Sequence, residues 1–388
     1  MPSLNEFASR KLAELETRGQ RRELVDTGRG MAGRATRDGR DVISFCCNDY
    51  LNLSQHPQVK AAAAEALETY GAGTGASRLV TGNNPLFAEL EARLARIKGA
   101  EAALIFGSGY LTNTGIIPSL LGEGDIIFAD ELSHACIISG ARMSRARVVI
   151  FRHNDMAHLR SLLAAHRADG ANALVVTDGV FSMDGDLAPL PEMTALAEAH
   201  DAWLMTDDAH GLGVIGGGRG SSFAFGPQKM NVPLQMGTLS KAVGGYGGYL
   251  CADQPVIDLL KSRARTLVYS TGLPPASVAA ALAALDVIEA EPERVVRPVA
   301  NAAQFCREVG LPTPESPIVP VIIGEETRAL DASRLLLDEG YLVTAIRPPT
   351  VPPGTARLRL TFMAEHDPAD ITRLASLVRD RIIKRPAA

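Results

Sequence analysis

The chain has no run approaching the ~20 consecutive apolar residues that a membrane helix needs, so a membrane-spanning role is not expected. It also lacks a signal peptide's apolar core: the first residues, 1–11, are Met-Pro-Ser-Leu-Asn-Glu-Phe-Ala-Ser-Arg-Lys. A cytoplasmic location is the expectation. Cysteine is scarce and unpaired. The five are Cys46, Cys47, Cys136, Cys251 and Cys306, an odd number with no CxxC spacing. They read as free thiols in a reducing compartment, not as a disulfide frame. Positive charge is not in excess: the net charge is −5 and the arginines are scattered. That removes the electrostatic footprint of a nucleic-acid or membrane-surface binder. Neither GxxxxGK[ST] nor GxGxxG occurs after a strand, which disfavours a nucleotide. Lysine is rare as well. The seven stand at positions 11, 60, 98, 229, 241, 261 and 384, most of them in polar helical stretches.

What the chain does have is a 46% hydrophobic composition over 388 residues, enough for a substantial core and two units. Residues 4–25 are charged and helix-forming, with Leu4, Phe7, Leu12, Leu15 and Leu24 roughly on one face, and read as an N-terminal arm helix. A short strand is expected near 41–45. From residue 100, short apolar strands alternate with helical patterns. The strands are expected over 102–106, 125–129, 147–151, 173–177, 203–206, 234–238 and 249–252. This alternation argues for an α/β fold whose mostly parallel seven-stranded sheet is covered by helices on both faces. Such sheets bind ligands at the carboxyl ends of their strands. Pro274-Pro275 opens an alanine-rich helix over 276–290. The organisation expected is an arm and strand over 1–45, a large domain over 46–275, and a smaller α+β domain over 276–388.

Of the seven lysines, only Lys241 follows a buried strand and precedes a glycine run, in Thr238-Leu-Ser-Lys-Ala-Val-Gly-Gly-Tyr-Gly-Gly248. Glycines let a bulky cofactor approach the backbone, Thr238 and Ser240 offer hydroxyls to a phosphate, and a buried amine is partly deprotonated, as a Schiff-base lysine must be. The strand expected over 203–206 runs into Asp207-Asp-Ala-His210-Gly. A carboxylate there points into the expected cleft and suits a protonated ring nitrogen; no further His or Cys at ligand spacing supports a metal, and none is expected. The segment Ile105-Phe-Gly-Ser-Gly109-Tyr110 is a strand, a glycine turn and a helix start, where backbone N–H groups bind phosphate. His134 and Ser182 follow other strands, at positions able to face a planar ring and its oxygen.

Taken together, Asn48-Asp-Tyr-Leu, Gly73-Thr-Gly-Ala-Ser-Arg, Ser133-His-Ala, Val180-Phe-Ser-Met-Asp-Gly-Asp, Asp207-Asp-Ala-His-Gly, Thr238-Leu-Ser-Lys and the segment from Thr344 to Arg359 resemble the α-oxoamine synthases. These are fold-type I pyridoxal-phosphate enzymes, and the likeness runs from about residue 40 to residue 380. The resemblance implies pyridoxal 5'-phosphate as cofactor, with Lys241 as its Schiff-base lysine and then the catalytic base. It implies that Asp207 pairs with the ring nitrogen, that His134 stacks on the ring, and that Ser182 and His210 contact the ring oxygen. The amides of Gly109 and Tyr110, with Thr238, would hold the phosphate. Members are homodimers with shared sites, so Ser270 and Thr271 would reach the partner's phosphate. Arg359, with Asn48 nearby, matches the grip on the amino acid's carboxylate. Arg22, Arg347 and Thr350 match positions for the acyl substrate.

The likeness is strongest to members that condense L-alanine with a pimeloyl thioester, on coenzyme A or on a carrier protein, in biotin biosynthesis. Sister enzymes use glycine or serine. The glycine-using 5-aminolevulinate synthases share Arg152-His-Asn-Asp155 but carry Thr where Ser77 stands, and Ser77 leaves room for a methyl group. Outside catalysis, the alternative is a cofactor-sensing domain, for which a DNA-binding extension would be expected; no helix-turn-helix segment is evident.

Overall fold

The computed structural model describes residues 3–17 and 20–384. Its centre is a seven-stranded sheet. In spatial order the strands are Ala102–Phe106, Gly248–Ala252, Leu234–Thr238, Trp203–Asp207, Ala173–Asp178, Ile126–Asp130 and Arg147–Phe151. All lie within two residues of the expected spans. Five neighbouring strands pair in parallel, while Gly248–Ala252 runs antiparallel to both neighbours. The middle strands are buried end to end, as continuous apolar runs between two helical layers must be.

Two apolar layers sandwich this sheet. On one side Leu104, Ile127, Val176 and Met205 pack with Ile116 and Ile137. The other side is divided between Phe128, Val175 and Leu190 in one cluster, and Ile105, Tyr249 and Cys251 in another. The alanine-rich helix Pro275–Ala290 belongs to this last cluster, where Leu282, Leu285 and Ile288 meet Leu51 and Leu94. The expected boundary at 276 therefore falls within the large unit's packing. The small unit gathers Phe305, Leu336, Leu358, Phe362 and Ile371 around Phe45.

The expected strand over 341–346 divides between two sheets. Tyr341–Leu342 pairs in parallel with Arg40–Ser44, while Thr344–Ile346 pairs antiparallel with Ala356–Thr361. This places the N-terminal strands on the small unit. The arm helix spans Leu4–Thr17, shorter than expected; residues 18 and 19 lie outside the described set, and 20–26 are not helical. None of the arm's side chains is buried. Among the described residues, no helix is long and apolar enough to cross a membrane.

Candidate active site

Lys241 stands in the connection between the antiparallel strands Leu234–Thr238 and Gly248–Ala252. The connection is tight: Gly244 has φ +72°, and a Cβ there would lie 2.3 Å from the Ser54 backbone nitrogen. Lys241 Nζ lies 2.7 Å from His210 Nε2. His210 Nδ1 lies 2.6 Å from the Tyr50 hydroxyl, which is 3.4 Å from Asn48 Oδ1. Arg359 donates from both terminal nitrogens to Asn48 Oδ1, at 3.2 and 3.3 Å, and from Nε to the Ser182 carbonyl. One hydrogen-bonded chain thus joins the lysine to the arginine expected to hold a carboxylate.

Asp207 ends its strand beside this chain. Asn113 Nδ2 donates to its Oδ2 at 2.7 Å, and the Ala209 amide to its Oδ1 at 3.0 Å. Its register partner on the next strand is Asp178, which accepts from the His134 amide at 2.8 Å. Burial pushes the Asp178 carboxyl well above the ordinary range, and the charge of Asp207 adds to this. Burial pushes the Lys241 amine down to about 8, although Asp207 and Asp178 act in the other direction. Burial and the nearby Lys241 hold His210 well below the usual imidazole range. Burial also lowers His134 and raises the Tyr50 hydroxyl to about 12. The cluster is therefore an amine whose pKa burial has lowered, beside an imidazole kept neutral, with the Asp207 side chain fixed alongside by Asn113 and the Ala209 amide.

Asp208 has a different environment. It pairs with Lys98 at 2.6 Å, both side chains fully inaccessible, and accepts from the Ser221 amide at 2.9 and 3.0 Å. The helix Gly109–Leu120 begins with Ser108 as its cap, the hydroxyl accepting from the Leu111 amide at 3.2 Å. The first amides, of Gly109 and Tyr110, are left for an outside acceptor. Gly109 lies against Thr238, to whose side chain a Cβ would approach within 3.5 Å. The Thr238 hydroxyl itself donates to the Gly247 carbonyl at 2.7 Å, so its proton serves the lysine loop. Tyr110 is half-exposed, with its hydroxyl on Ser139.

A cavity of about 670 Å³ opens beside the cluster, with Ser133, His134, Ser182 and Met183 on one wall and Pro348–Pro353, including Thr350, on the other. Arg347 leads into that second wall, its carbonyl accepting from the Thr350 amide at 3.0 Å. Ser270 and Thr271 instead line a separate crevice with Arg78 and Gly107, and Thr271 bridges to Ser77. Arg22 is exposed and, among the described residues, hydrogen-bonds to none of the cluster. A larger cavity, about 820 Å³, lies between Gly28–Thr36 and Asp367–Arg373 and contains none of the expected site residues. Among the described residues, no three His, Cys, Asp or Glu side chains converge as a metal site.

The structure adds residues that the motifs did not assign a role. Tyr50 lies inside the Asn48-Asp-Tyr-Leu motif and Asn113 four positions beyond Gly109, but nothing in either context announces a partner for His210 or Asp207. Asp178 resembles any strand-ending acid.

The chain belongs to the aminotransferase class I and II family, whose model matches residues 40–378. A protein from Parvibaculum lavamentivorans described as a putative 8-amino-7-oxononanoate synthase is 64% identical over the full length of both chains. The 8-amino-7-oxononanoate synthase of Methylocella silvestris is 65% identical over 89% of this chain and 98% of its own. Among solved structures, the serine palmitoyltransferase of Sphingomonas wittichii aligns with a TM-score of 0.89 at 32% identity, over 96% of this chain and 95% of that one. The 8-amino-7-oxononanoate synthase of Francisella tularensis aligns at 0.76 and 27%, over 88% and 98%.

Proposed function

We propose that this chain catalyses the decarboxylative condensation of L-alanine with a pimeloyl thioester, releasing CO2, the free thiol and 8-amino-7-oxononanoate for biotin synthesis. Backbone similarity alone favours the serine-using neighbour, but identity to the proteins of Parvibaculum lavamentivorans and Methylocella silvestris is about twice as high, over 89% or more of this chain. The observation that carries the reading is the Lys241–His210–Tyr50–Asn48–Arg359 chain, which sets a base and a carboxylate grip in one cleft.

The residues fit pyridoxal 5'-phosphate. Lys241 supplies the amine, Asp207 the carboxylate for a ring nitrogen, and the Gly109 and Tyr110 amides a phosphate seat. Ser133 Oγ and Asn113 Oδ1 are buried without a partner in the protein, as an incomplete polar site requires. When bound, the cofactor supplies an electron sink for carbanion chemistry at the amino acid's α-carbon.

The remaining work falls to the chain's own groups. Burial brings Lys241 Nζ into a range where it both takes and returns a proton near neutral pH. His210, kept neutral, does not compete for that proton as a cation. Arg359 receives the alanine carboxylate with Asn48 oriented beside it. The cavity between Ser182 and Thr350 accommodates the acyl chain, with Arg347 at its approach. His134 shields one face of the cofactor site. The active unit is a homodimer. Tyr269, Leu79 and Val80 are exposed around the crevice that holds Ser270 and Thr271, giving an apolar surface for a second copy.

Purified protein with added pyridoxal phosphate should release thiol from pimeloyl-CoA only when L-alanine is present. Turnover with glycine or L-serine instead would transfer the chain to a sister activity. Absence of any cofactor absorbance would remove the whole reading.

A further inference from the structure

We propose that His153 is a positioning residue: as an imidazolium it ties the Asp130–His134 loop to the Phe181–Asp186 turn and holds the acyl cavity's wall in register. This rests on reading that cavity as the thioester site.

The geometry begins with two acids on different loops. Asp130 is fully buried at the end of its strand. Its Oδ1 accepts from the Leu132 amide at 2.8 Å and its Oδ2 from the Asn154 amide at 2.9 Å. The Ser133 amide donates to its carbonyl at 3.1 Å, and His134 follows. Asp186 closes the neighbouring turn, where its carbonyl accepts from the Phe181 amide at 3.0 Å. That turn is tight: Gly185 has φ +79°, and a Cβ there would strike the Ile318 carbonyl at 2.2 Å. Ser182 rides on it.

His153 stands between the two. Nδ1 lies 3.1 Å from Asp130 Oδ1 and Nε2 lies 2.8 Å from Asp186 Oδ2. Both partners are carboxylate oxygens, which only accept. A neutral imidazole has one N–H and would turn its other nitrogen's lone pair onto a carboxylate; the imidazolium donates to both. The ring meets Phe181 edge-on, with centroids 4.4 Å apart. Asn154 reinforces the strap, donating to Asp186 Oδ2 at 2.8 Å and to the Leu187 carbonyl at 3.3 Å. It does so in a left-handed conformation, φ +50°.

The surrounding charges agree. Glu131 accepts from the His153 amide at 2.9 Å, and Glu315 from the Leu187 amide at 2.8 Å. Arg152 is committed to Asp155, and Arg357 to Asp184. His158 accepts from the Arg152 amide. Burial lowers the His153 pKa, but the bonds to Asp130 and Asp186 outweigh this and raise it to about 10. The ring is therefore charged at neutral pH. The folding stability it contributes is complete below its ordinary 6.5 and is lost as pH rises through the folded value.

The test compares wild type with D186N, H153Q and the D186N/H153Q double variant. The KM for pimeloyl-CoA is measured from pH 6.5 to 9.5, beside NMR titration of the histidine rings. Wild-type His153 should remain mostly protonated across this range, with at most a small alkaline rise in KM from this group. Loss of the Asp186 charge should lower its titration by about 1–3 units. D186N should then show an alkaline rise in KM of about tenfold, tracking the ring titration, and the double variant should lack it. H153Q should raise KM by about tenfold at every pH while kcat changes less. A neutral His153 in wild type at pH 7, or a D186N profile identical to wild type, overturns the proposal. A wild-type enzyme inert toward pimeloyl-CoA would overturn the functional reading instead, while the ring titration still decides the charge of His153.

Discussion

Lys241, His210 and Asp207 stand at or just beyond the ends of buried strands, each held by at least one hydrogen bond under 2.8 Å. Across the cleft, Thr350 is exposed on a segment interrupted by Pro348, Pro349, Pro352 and Pro353. Proline has no N–H to give, so this rim cannot be laced into a sheet as the floor is. The floor fixes geometry before substrate arrives, where preorganised groups contribute most to rate. On the proposed reading, the rim presents surface to the variable part of the substrate. Damage to the floor should therefore appear in kcat, and damage to the rim in KM.

The largest effect should come from Lys241→Ala. We expect turnover to fall by at least about 10⁴-fold, with a melting temperature equal to or above wild type, because a buried amine is costly to keep. Near-normal turnover would break the comparison outright. The neighbouring acids then separate chemistry from architecture within the floor. Asp207→Asn should cost about 10²–10³-fold in kcat with little change in stability. Asp208→Asn leaves Lys98 charged and enclosed, and should destabilise the protein by about 3–5 kcal/mol. Denaturant melts alongside steady-state rates check both. Equal behaviour of the two variants would erase the distinction.

Much of the floor was legible because its chemistry lies next to strand ends. Each strand is a short apolar run stopped by a polar residue or a glycine, and the cleft lies where parallel strands end. Lys241 stood out by being the one lysine after such a run. Strand direction was not legible, since an apolar run reads the same either way; the antiparallel Gly248–Ala252 strand follows from the short connection carrying Lys241. Lys98 gave no sign in the sequence beyond lying in a helical stretch, yet its amine is enclosed by Asp208 and the Arg219 carbonyl. Tyr50 and Asn113 could not be assigned, since their partners lie 160 and 94 positions away. The Pro275–Ala290 helix is apolar except for Ser277 near its start and Asp286 and Glu289 near its end, a pattern that indicates burial but not in which unit.

The small unit offers an intermediate effect through His366. Its Nδ1 accepts from the Met363 amide at 3.1 Å, so the neutral ring donates from Nε2 to the Ser44 carbonyl at 3.0 Å. Burial pushes its pKa down to about 4, with the Ser44 carbonyl acting weakly the other way. Stability from this group is complete above its ordinary 6.5 and is lost as pH falls toward 4, about 3 kcal/mol in all. Urea melts of wild type and His366→Asn at pH 7 and 4.5 should show a smaller acid loss in the variant. Between floor and rim stands Arg359. Arg359→Lys keeps the charge but gives up the planar fork. The KM for alanine should rise about ten- to hundredfold, more than the KM for the thioester.

The smallest effect should belong to Thr350, where the comparison is sharpest. Valine matches threonine in shape and removes only the hydroxyl, so Thr350→Val tests a polar contact without opening space. A hydrogen bond at an exposed position is worth about 0.5–1.5 kcal/mol, which corresponds to roughly a two- to tenfold rise in the KM for pimeloyl-CoA. Nothing ties this hydroxyl to Lys241, so kcat and the KM for alanine should stay within error of wild type. A fall in kcat instead would mean that the rim closes on the floor during turnover and takes part in its geometry. The proline-punctuated segment would then be a moving wall of the reaction chamber, and the division between fixed chemistry and loose selection would hold only for the unliganded enzyme.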